Sequence, residues 1–302
     1  MAAIETYGLS KTFGRTKALD GVTFNVSEGE MFGIIGPDGA GKTTLFRLLT
    51  TLLAPDSGSA RVLGYDTVAD YRMIRSHVGY MPGRFSLYPD LSVSENLEFF
   101  AALFGVKVRE NYDLIAPIYR QIEPFGKRRA GKLSGGMKQK LALCCALVHR
   151  PSVLFLDEPT TGVDAVSRSE FWDMLASLKA AGMSILVSTP YMDEARRCDS
   201  IALCDKGRIL CTDSPRGIVS RFDGRLYALS GSDMYGLLKA ARDSRDVVEC
   251  YPFGSAHHLT VDNGFDAGRF TEWLAGRGFR DIELHPVEAG IEDVFIKLMH
   301  HE

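Results

Sequence analysis

The spacing of apolar residues changes period several times along the chain. From Ala3 to Val26 short apolar and polar runs alternate, with turn residues at Phe13-Gly14-Arg15 and Asp20-Gly21, which predicts two or three antiparallel strands at a sheet edge. Met31–Ile35, the start of the run Val153–Pro159, and Ser184–Ser188 are short and almost wholly apolar, the pattern of strands buried on both faces. Elsewhere the period is helical. Leu45, Leu48, Leu49, Leu52 and Leu53 fall at i, i+3, i+4, i+7 and i+8 before Ala54-Pro55-Asp56-Ser57-Gly58 stops the run. Ser94–Phe104 and Ser134–Val148 also read as helices. Past a hairpin turn at Asp205-Lys206-Gly207-Arg208, the first domain is expected to end near Ser220, and Asp223-Gly224 marks a boundary. The tail predicts strands at Arg225–Ser230, Val247–Tyr251, His258–Val261 and Asp281–His285. Helices are expected at Asp233–Arg242, Phe265–Arg277 and from Ile291 onward. The β-α-β-β-α-β order predicts a small ferredoxin-like α+β domain over residues 224–302.

Composition narrows the class without choosing a function. The 302 residues, 45% hydrophobic and 24% charged, suffice for one domain of about 200 residues and a smaller one. No apolar run approaches the roughly 18 residues that a membrane span needs, and no basic-then-apolar leader opens the chain, so neither a span nor a signal peptide is expected. A net charge of -3 with mixed signs argues against a broad nucleic-acid footprint, and no nucleic-acid partner is expected. Cys144, Cys145, Cys198, Cys204, Cys211 and Cys250 show no metal-ligand spacing and read as buried free thiols. His257-His258 and His300-His301 lack supporting carboxylate or cysteine spacing, so no metal is expected there.

The chemistry is concentrated in GPDGAGKTT, which comprises Gly36, Pro37, Asp38, Gly39, Ala40, Gly41, Lys42, Thr43 and Thr44. It satisfies G-x-x-x-x-G-K-[ST] between a strand and a helix, the context a phosphate-binding loop requires. Glycines let the backbone N–H groups turn inward around phosphate oxygens, and the helix dipole favours negative charge there. Lys42 can then reach the outer phosphates, and the Thr43 hydroxyl can ligate magnesium. Upstream, Phe13 is a candidate to stack on an adenine. VLFLDEP ends in Asp157, suited to hold a magnesium water, and Glu158, facing the reacting phosphate. LSGGMKQ, with Leu133, Ser134, Gly135, Gly136 and Met137, opens a second helix whose N-terminus suits an anion. Two phosphate cradles in one chain suggest nucleotide sandwiched between subunits.

In this order, over about the first 220 residues, the motifs resemble those of ATP-binding-cassette ATPases. GPDGAGKTT resembles the Walker A loop, LSGGMKQ the signature, VLFLDEP the Walker B strand with its catalytic glutamate, and Gly162-Val163-Asp164 the D-loop. GYMPGRFSLYPDLSV and LSGGMKQKLAL further resemble ATPase subunits of bacterial ABC-2 type multidrug exporters. The resemblance implies an α/β P-loop NTPase over residues 1–220, with a RecA-like parallel sheet, an antiparallel edge sheet and a helical subdomain inserted at about 85–150. It implies Glu158 and Lys42 as catalytic residues, ATP and Mg2+ as cofactors with Thr43 and Asp157 at the metal, and a signature acting on the partner's nucleotide. The implied partners are an ABC-2 type membrane permease and a second cassette subunit, with the chain peripheral on the cytoplasmic face of the membrane. IEDVFIKLM near the end resembles the closing segment of exporter ATPase C-terminal domains, which usually serve dimerisation or regulation.

Two positions depart from the pattern. Gly83 stands where the family usually has a glutamine that touches magnesium, and Pro190 stands where it has a histidine that contacts the γ-phosphate. Losing one preorganised donor commonly costs on the order of a hundredfold in rate, so this chain's own Walker half is expected to be slow. That expectation favours a heterodimer in which Ser134, Gly135 and Gly136 close a complete site on a different cassette. The alternatives are a symmetric homodimer, an ATP-gated subunit with little hydrolysis, and a soluble cassette protein acting on ribosomes or DNA. The permease surface is expected around Met81–Leu91, with Phe85, Leu87 and Tyr88 forming a groove for a partner helix or else packing the subdomain on the sheet.

Overall fold

The computed structural model describes residues 2–84 and 86–300, the His300 side chain excepted; Phe85 and His301, singled out above, lie outside the described residues. β1 (Ala2–Phe13) and β2 (Thr16–Ser27) form a hairpin, and β3 (Met31–Ile35) leads to α1 (Lys42–Leu49). β4 (Ser57–Val62), β5 (Tyr65–Asp66), α2 (Tyr71–His77) and β6 (Val78–Met81) precede the helices α3 (Val93–Leu103), α4 (Tyr112–Tyr119) and α5 (Gly135–Leu147). β7 (Val153–Asp157), α6 (Ala165–Ala180), β8 (Ser184–Thr189), β9 (Ser200–Asp205), β10 (Arg208–Asp213) and α7 (Pro215–Ser220) follow. The remainder is β11 (Arg225–Ser230), α8 (Met234–Arg242), β12 (Val247–Phe253), β13 (Ala256–Val261), α9 (Ala267–Gly276), β14 (Glu283–Val287) and α10 (Ile291–His300). The chain divides into two compact units between Pro215 and Arg216.

In the first unit the larger sheet has the order β10-β9-β3-β8-β7-β6, parallel except for β10. Every residue of β3, β7 and β8 is buried, which is why these runs are apolar without alternation. Phe46 of α1 meets Phe155 of β7 edge-on at 6.1 Å, and both are fully buried. This contact seats the phosphate-loop helix on the sheet.

The second sheet, β2-β1-β4-β5, is antiparallel and forms the expected edge. Its hairpin consists of two 12-residue strands rather than two or three short ones, because Asp20-Gly21 lies inside β2. Leu9 pairs with Val22 and Lys11 with Leu19, so β2 carries an extra residue there. Gly21, at φ 68°, supplies the left-handed backbone of this bulge, and its N–H donates to Ser10 Oγ at 2.9 Å.

The leucine stripe also ends early. α1 stops at Leu49, and Thr51 adopts φ 64°, held by Arg75, which donates to Thr51 Oγ1 and to its carbonyl, each at 2.8 Å. Leu52 therefore leaves the stripe and is 54% exposed. The helical readings of Ser94–Phe104 and Ser134–Val148 correspond to α3 and α5, with Ser92 and Ser134 as N-caps.

The second unit has the strand order β12-β13-β11-β14, all neighbours antiparallel, with α8 and α9 as crossovers. Together with the β-α-β-β-α-β sequence this is the ferredoxin-like arrangement. Its core gathers Leu229, Leu237, Leu259, Phe270 and Leu274. His257 and His258 are buried in this unit: His257 Nε2 lies 2.7 Å from the Met234 carbonyl while its Nδ1 has no partner among the described residues, and His258 Nδ1 lies 2.6 Å from Asp293 Oδ1. Among the described residues no group of three or more His, Cys, Asp or Glu is arranged to hold a metal. All six cysteines are free thiols, five of them buried.

Candidate nucleotide site

Gly36 to Thr44 leave the C-terminal end of β3 and turn into α1, with Gly41 as the N-cap at φ 96°. Space requires glycine at position 36, and space together with a left-handed backbone requires it at position 41. A Cβ on Gly36 would stand 2.1 Å from the Cys204 carbonyl oxygen, and one on Gly41 would stand 2.3 Å from the Ala18 carbonyl. The loop is thus wedged between β9 and β2. Cys204 Sγ also donates to the Ala40 carbonyl at 3.1 Å, and burial pushes this thiol up to about 11 despite the opposing charge of Lys42.

Lys42 is only 3% exposed. Its Nζ donates to the Gly36 and Pro37 carbonyls at 2.8 and 2.9 Å and pairs with Glu158 Oε1 at 3.0 Å. The ammonium sits inside the loop and beside the carboxylate, so nucleotide phosphates would compete with Glu158 for it. Glu158 has φ 50°, a left-handed conformation uncommon for its type. It is held there because its N–H donates to the Ser188 carbonyl at 3.1 Å and to Ser188 Oγ at 3.0 Å, while Ser188 Oγ donates to Asp157 Oδ1 at 2.7 Å. Lys42, Thr43, Thr44 and Glu158 line one cleft of about 400 Å³, whose opposite lip is Thr16, Lys17, Ala18 and Lys206.

These donors fit a nucleotide with magnesium. Glycine at 36 and 41 lets the loop pack against the Cys204 and Ala18 carbonyls, Lys42 inside the loop and Lys17 and Lys206 at the lip supply positive charge, and the hard oxygens are a threonine hydroxyl and a buried aspartate. A magnesium ion keeps several waters and takes phosphate oxygens, so one carboxylate suffices.

The structure brings the phosphate loop and Glu158 together, and the cleft they line includes neither Phe13 nor the signature and D-loop residues. Phe13 is 48% exposed at the hairpin tip, with Lys11 Nζ 5.8 Å from its ring centre, and does not line the cleft. Thr16, Lys17 and Ala18 line it instead, because Phe13 pairs with Thr16 and β2 runs back over the phosphate loop. The sequence reading missed these residues and Lys206; the turn at Asp205–Arg208 was visible but not its position over the loop, where Gly207 N–H donates to the Ala40 carbonyl at 3.1 Å. Gly83 lies against the backbone that carries the carboxylate pair: a Cβ there would be 3.0 Å from the Asp157 main-chain carbonyl and 3.7 Å from Glu158 Cβ. Pro190 directly follows Thr189, whose carbonyl accepts from Gly36 N–H at 3.4 Å.

The second anion-binding helix start is formed by Ser134, which caps α5 through Met137 N–H at 3.4 Å. Leu133 is buried beneath it. Ser134 and Gly135 are exposed, whereas Gly136 is buried against α6, where a Cβ would stand 2.7 Å from Ser167 Oγ. Asp164 caps α6, accepting from Ser167 N–H at 3.0 Å, and these hydrogen bonds hold its carboxyl below its ordinary range. The signature and the D-loop therefore share one exposed face of this chain.

A family model described as ABC transporter matches residues 19–161. Nod factor export ATP-binding protein I of Rhizobium sp. (strain N33) is 35% identical over 305 residues, 99% of this chain and 98% of that protein. The probable multidrug ABC transporter ATP-binding protein YbhF of Escherichia coli (strain K12) is 44% identical over 233 residues, 76% of this chain. That match spans 40% of YbhF. A solved ATP-binding subunit of an ABC transporter superposes with TM-score 0.66 at 30% identity, covering 73% of this chain and 93% of its own. MJ0796, a bacterial ABC transporter cassette solved as a dimer, superposes with TM-score 0.64 at 25% identity, covering 70% of this chain and 98% of its own. With the phosphate loop, the carboxylate pair and the signature helix on one α/β core, and a relative matched from end to end, the chain belongs to the ABC transporter family, as an ATP-binding cassette.

Proposed function

We propose that this chain is the ATP-hydrolysing subunit of an exporter and drives a separate membrane permease. The observation that carries the reading is the pairing of Lys42 with Glu158 under the phosphate loop, in a chain whose own signature residues do not line that cleft. ATP would be held by Gly36–Thr44 of one cassette and covered by Ser134, Gly135 and Gly136 of another. Magnesium, on Thr43 and Asp157, would neutralise phosphate charge; Glu158 would orient the attacking water. The export direction rests on the relatives named for multidrug and Nod factor export.

The partner cassette is proposed to be a different chain. Gly83 and Pro190 supply no side-chain donor at the cleft, and a glutamine at 83 would crowd the Asp157 carbonyl by its Cβ alone. A permease helix would dock in a groove of about 480 Å³ between α3, α5 and the end of β6, lined by Met81, Leu87, Phe100, Leu103, Cys145 and His149. The groove is apolar, and Leu103 at its edge is 66% exposed, which suits an apolar helix face. Among the described residues no helix is long and apolar enough to cross a membrane, consistent with a permease on another chain.

The test is the ATPase rate of the chain alone and mixed with candidate cassettes, beside Lys42→Ala and Ser134→Arg. Low activity alone, restored by a partner and lost more with Ser134→Arg than with Lys42→Ala, is the expected result. High activity alone, abolished equally by both changes, would replace the heterodimer by a homodimer. No hydrolysis in any mixture would sink the enzymatic reading.

A further inference from the structure

Glu194 is a carboxylate with 4% exposure, outside every motif discussed above. Burying a carboxylate is costly unless its oxygens are fully engaged, and here they are. Oε1 accepts from Thr160 Oγ1 at 2.8 Å and from Arg168 Nε at 3.1 Å; Oε2 accepts from Thr189 Oγ1 at 2.5 Å. Thr160 and Thr189 are themselves buried, and Thr189 Oγ1 also accepts from Tyr191 N–H at 3.1 Å. The Arg168 guanidinium lies 4.3 Å from the Tyr191 ring centre and reaches Asp193 at 3.3 Å.

The donors come from three segments: the turn after β7, the end of β8 and the first turn of α6. Thr160 is two residues beyond Glu158, in a tight turn closed by Thr161 N–H on the Glu158 carbonyl and Val163 N–H on the Thr160 carbonyl. Thr189 ends β8, next to Ser188, which holds the Glu158 N–H, and its own carbonyl holds Gly36 of the phosphate loop. Arg168 is in the first turn of α6, bonded through its N–H to the carbonyl of Asp164. Pro190 fixes the backbone immediately after Thr189.

We propose that Glu194, clamped by Arg168, is a positioning residue for ATP hydrolysis: it fixes the strained Glu158 turn and links it to the partner-facing Asp164 loop. Glu194 touches no phosphate-binding group and works through the turn it holds. Displacement of the D-loop when two cassettes close would act on Arg168, and through Glu194 on the Thr160 turn. The inference rests on the reading of Glu158 as the residue that orients water, so its test has one arm that needs no hydrolysis.

In the first arm, amide hydrogen exchange of residues 158–168 is compared between the unaltered chain and Glu194→Gln, which keeps the shape and removes the charge. Exchange faster by about tenfold in that segment, with the rest of the sheet unchanged, is expected from loss of a charge-assisted brace. Unchanged exchange there would overturn the clamp. In the second arm, the ATPase of the assembled complex is measured for Glu194→Gln and Arg168→Met. The expected pattern is a fall in kcat of about tenfold with KM for ATP within about twofold, because positioning and not binding is lost. The double variant should be no worse than either single one, as for residues acting as a unit. An unchanged kcat, or kcat and KM lost together with thermal stability, would overturn the positioning role. Arg168→Lys, which keeps a charge in a half-buried site, serves if Glu194→Gln fails to fold, with the same expectations in smaller degree. Faster exchange in a complex that hydrolyses nothing would condemn the enzymatic reading and leave the clamp standing.

Discussion

At Gly36 and Gly39 the same substitution meets two different obstacles. A methyl group on Gly36 would stand 2.1 Å from the Cys204 carbonyl, backbone that cannot step aside, whereas on Gly39, at φ 83°, it would meet nothing within 4 Å. Gly36→Ala should therefore displace the loop and lower ATP affinity by well over tenfold, while Gly39→Ala carries only left-handed strain of about 1–2 kcal/mol. Titration with a fluorescent nucleotide separates the two; equal losses would mean that the Cys204 carbonyl does not set the requirement at 36. The loop residues were legible because spacing alone brings Gly36, Gly41, Lys42 and Thr43 together over a single turn. Glu194 was not legible, since its three donors lie 34, 26 and 5 positions away and no local pattern relates them. Phe13 is a candidate by its place some thirty residues before the phosphate loop, a spacing that does not reveal that strand pairing sets it at the hairpin tip and Thr16–Ala18 at the cleft.

Among the elements, α5 carries a test of pH dependence. His149, just beyond it, stacks on Phe104 at 3.7 Å, and its Nε2 lies 3.0 Å from the Val78 carbonyl, while its Nδ1 is buried without a partner. Burial lowers its pKa, against the opposing hydrogen bond to the Val78 carbonyl. The folded chain therefore takes up this proton less readily than the unfolded one. Stability from His149 is present above the ordinary value of about 6.5, falls as the pH drops through it, and stops falling below the lower folded value. Melting temperatures between pH 7.5 and 5 should show this decline, and His149→Gln should flatten it; an identical slope in the variant would contradict the assignment. Element type followed period closely for α3, α5 and the buried strands. α6 was overlooked although Phe171, Trp172, Leu175 and Leu178, all buried, repeat with helical spacing. Ends were less legible than interiors: α1 stops where Arg75, distant in sequence, holds Thr51 in a left-handed turn.

On the scale of the whole molecule, the two units have separate cores, one built on Phe32, Phe46 and Phe155 and the other on Leu229, Leu259 and Phe270. Units with their own cores unfold as units. Calorimetry should show two transitions, and ATP with magnesium should raise only the one belonging to residues up to Pro215, because the phosphate loop lies there. A single transition raised as a whole by nucleotide would show that the units unfold together.

By itself the sequence determined the buried parallel strands, the phosphate loop with its helix, the carboxylate pair, the signature cap and the order of elements in the ferredoxin-like unit. Each of these depends on residues close in the chain, where period, capping and steric freedom act within a few positions. Tertiary structure alone decided that Cys204 and Ala18 press on the loop glycines, that Lys42 meets Glu158, that β2 and Lys206 complete the cleft, and that Glu194 gathers three segments. Those contacts join residues far apart in sequence, and only the parallel sheet, by placing β3, β7, β8 and β9 side by side, fixes the distances between them.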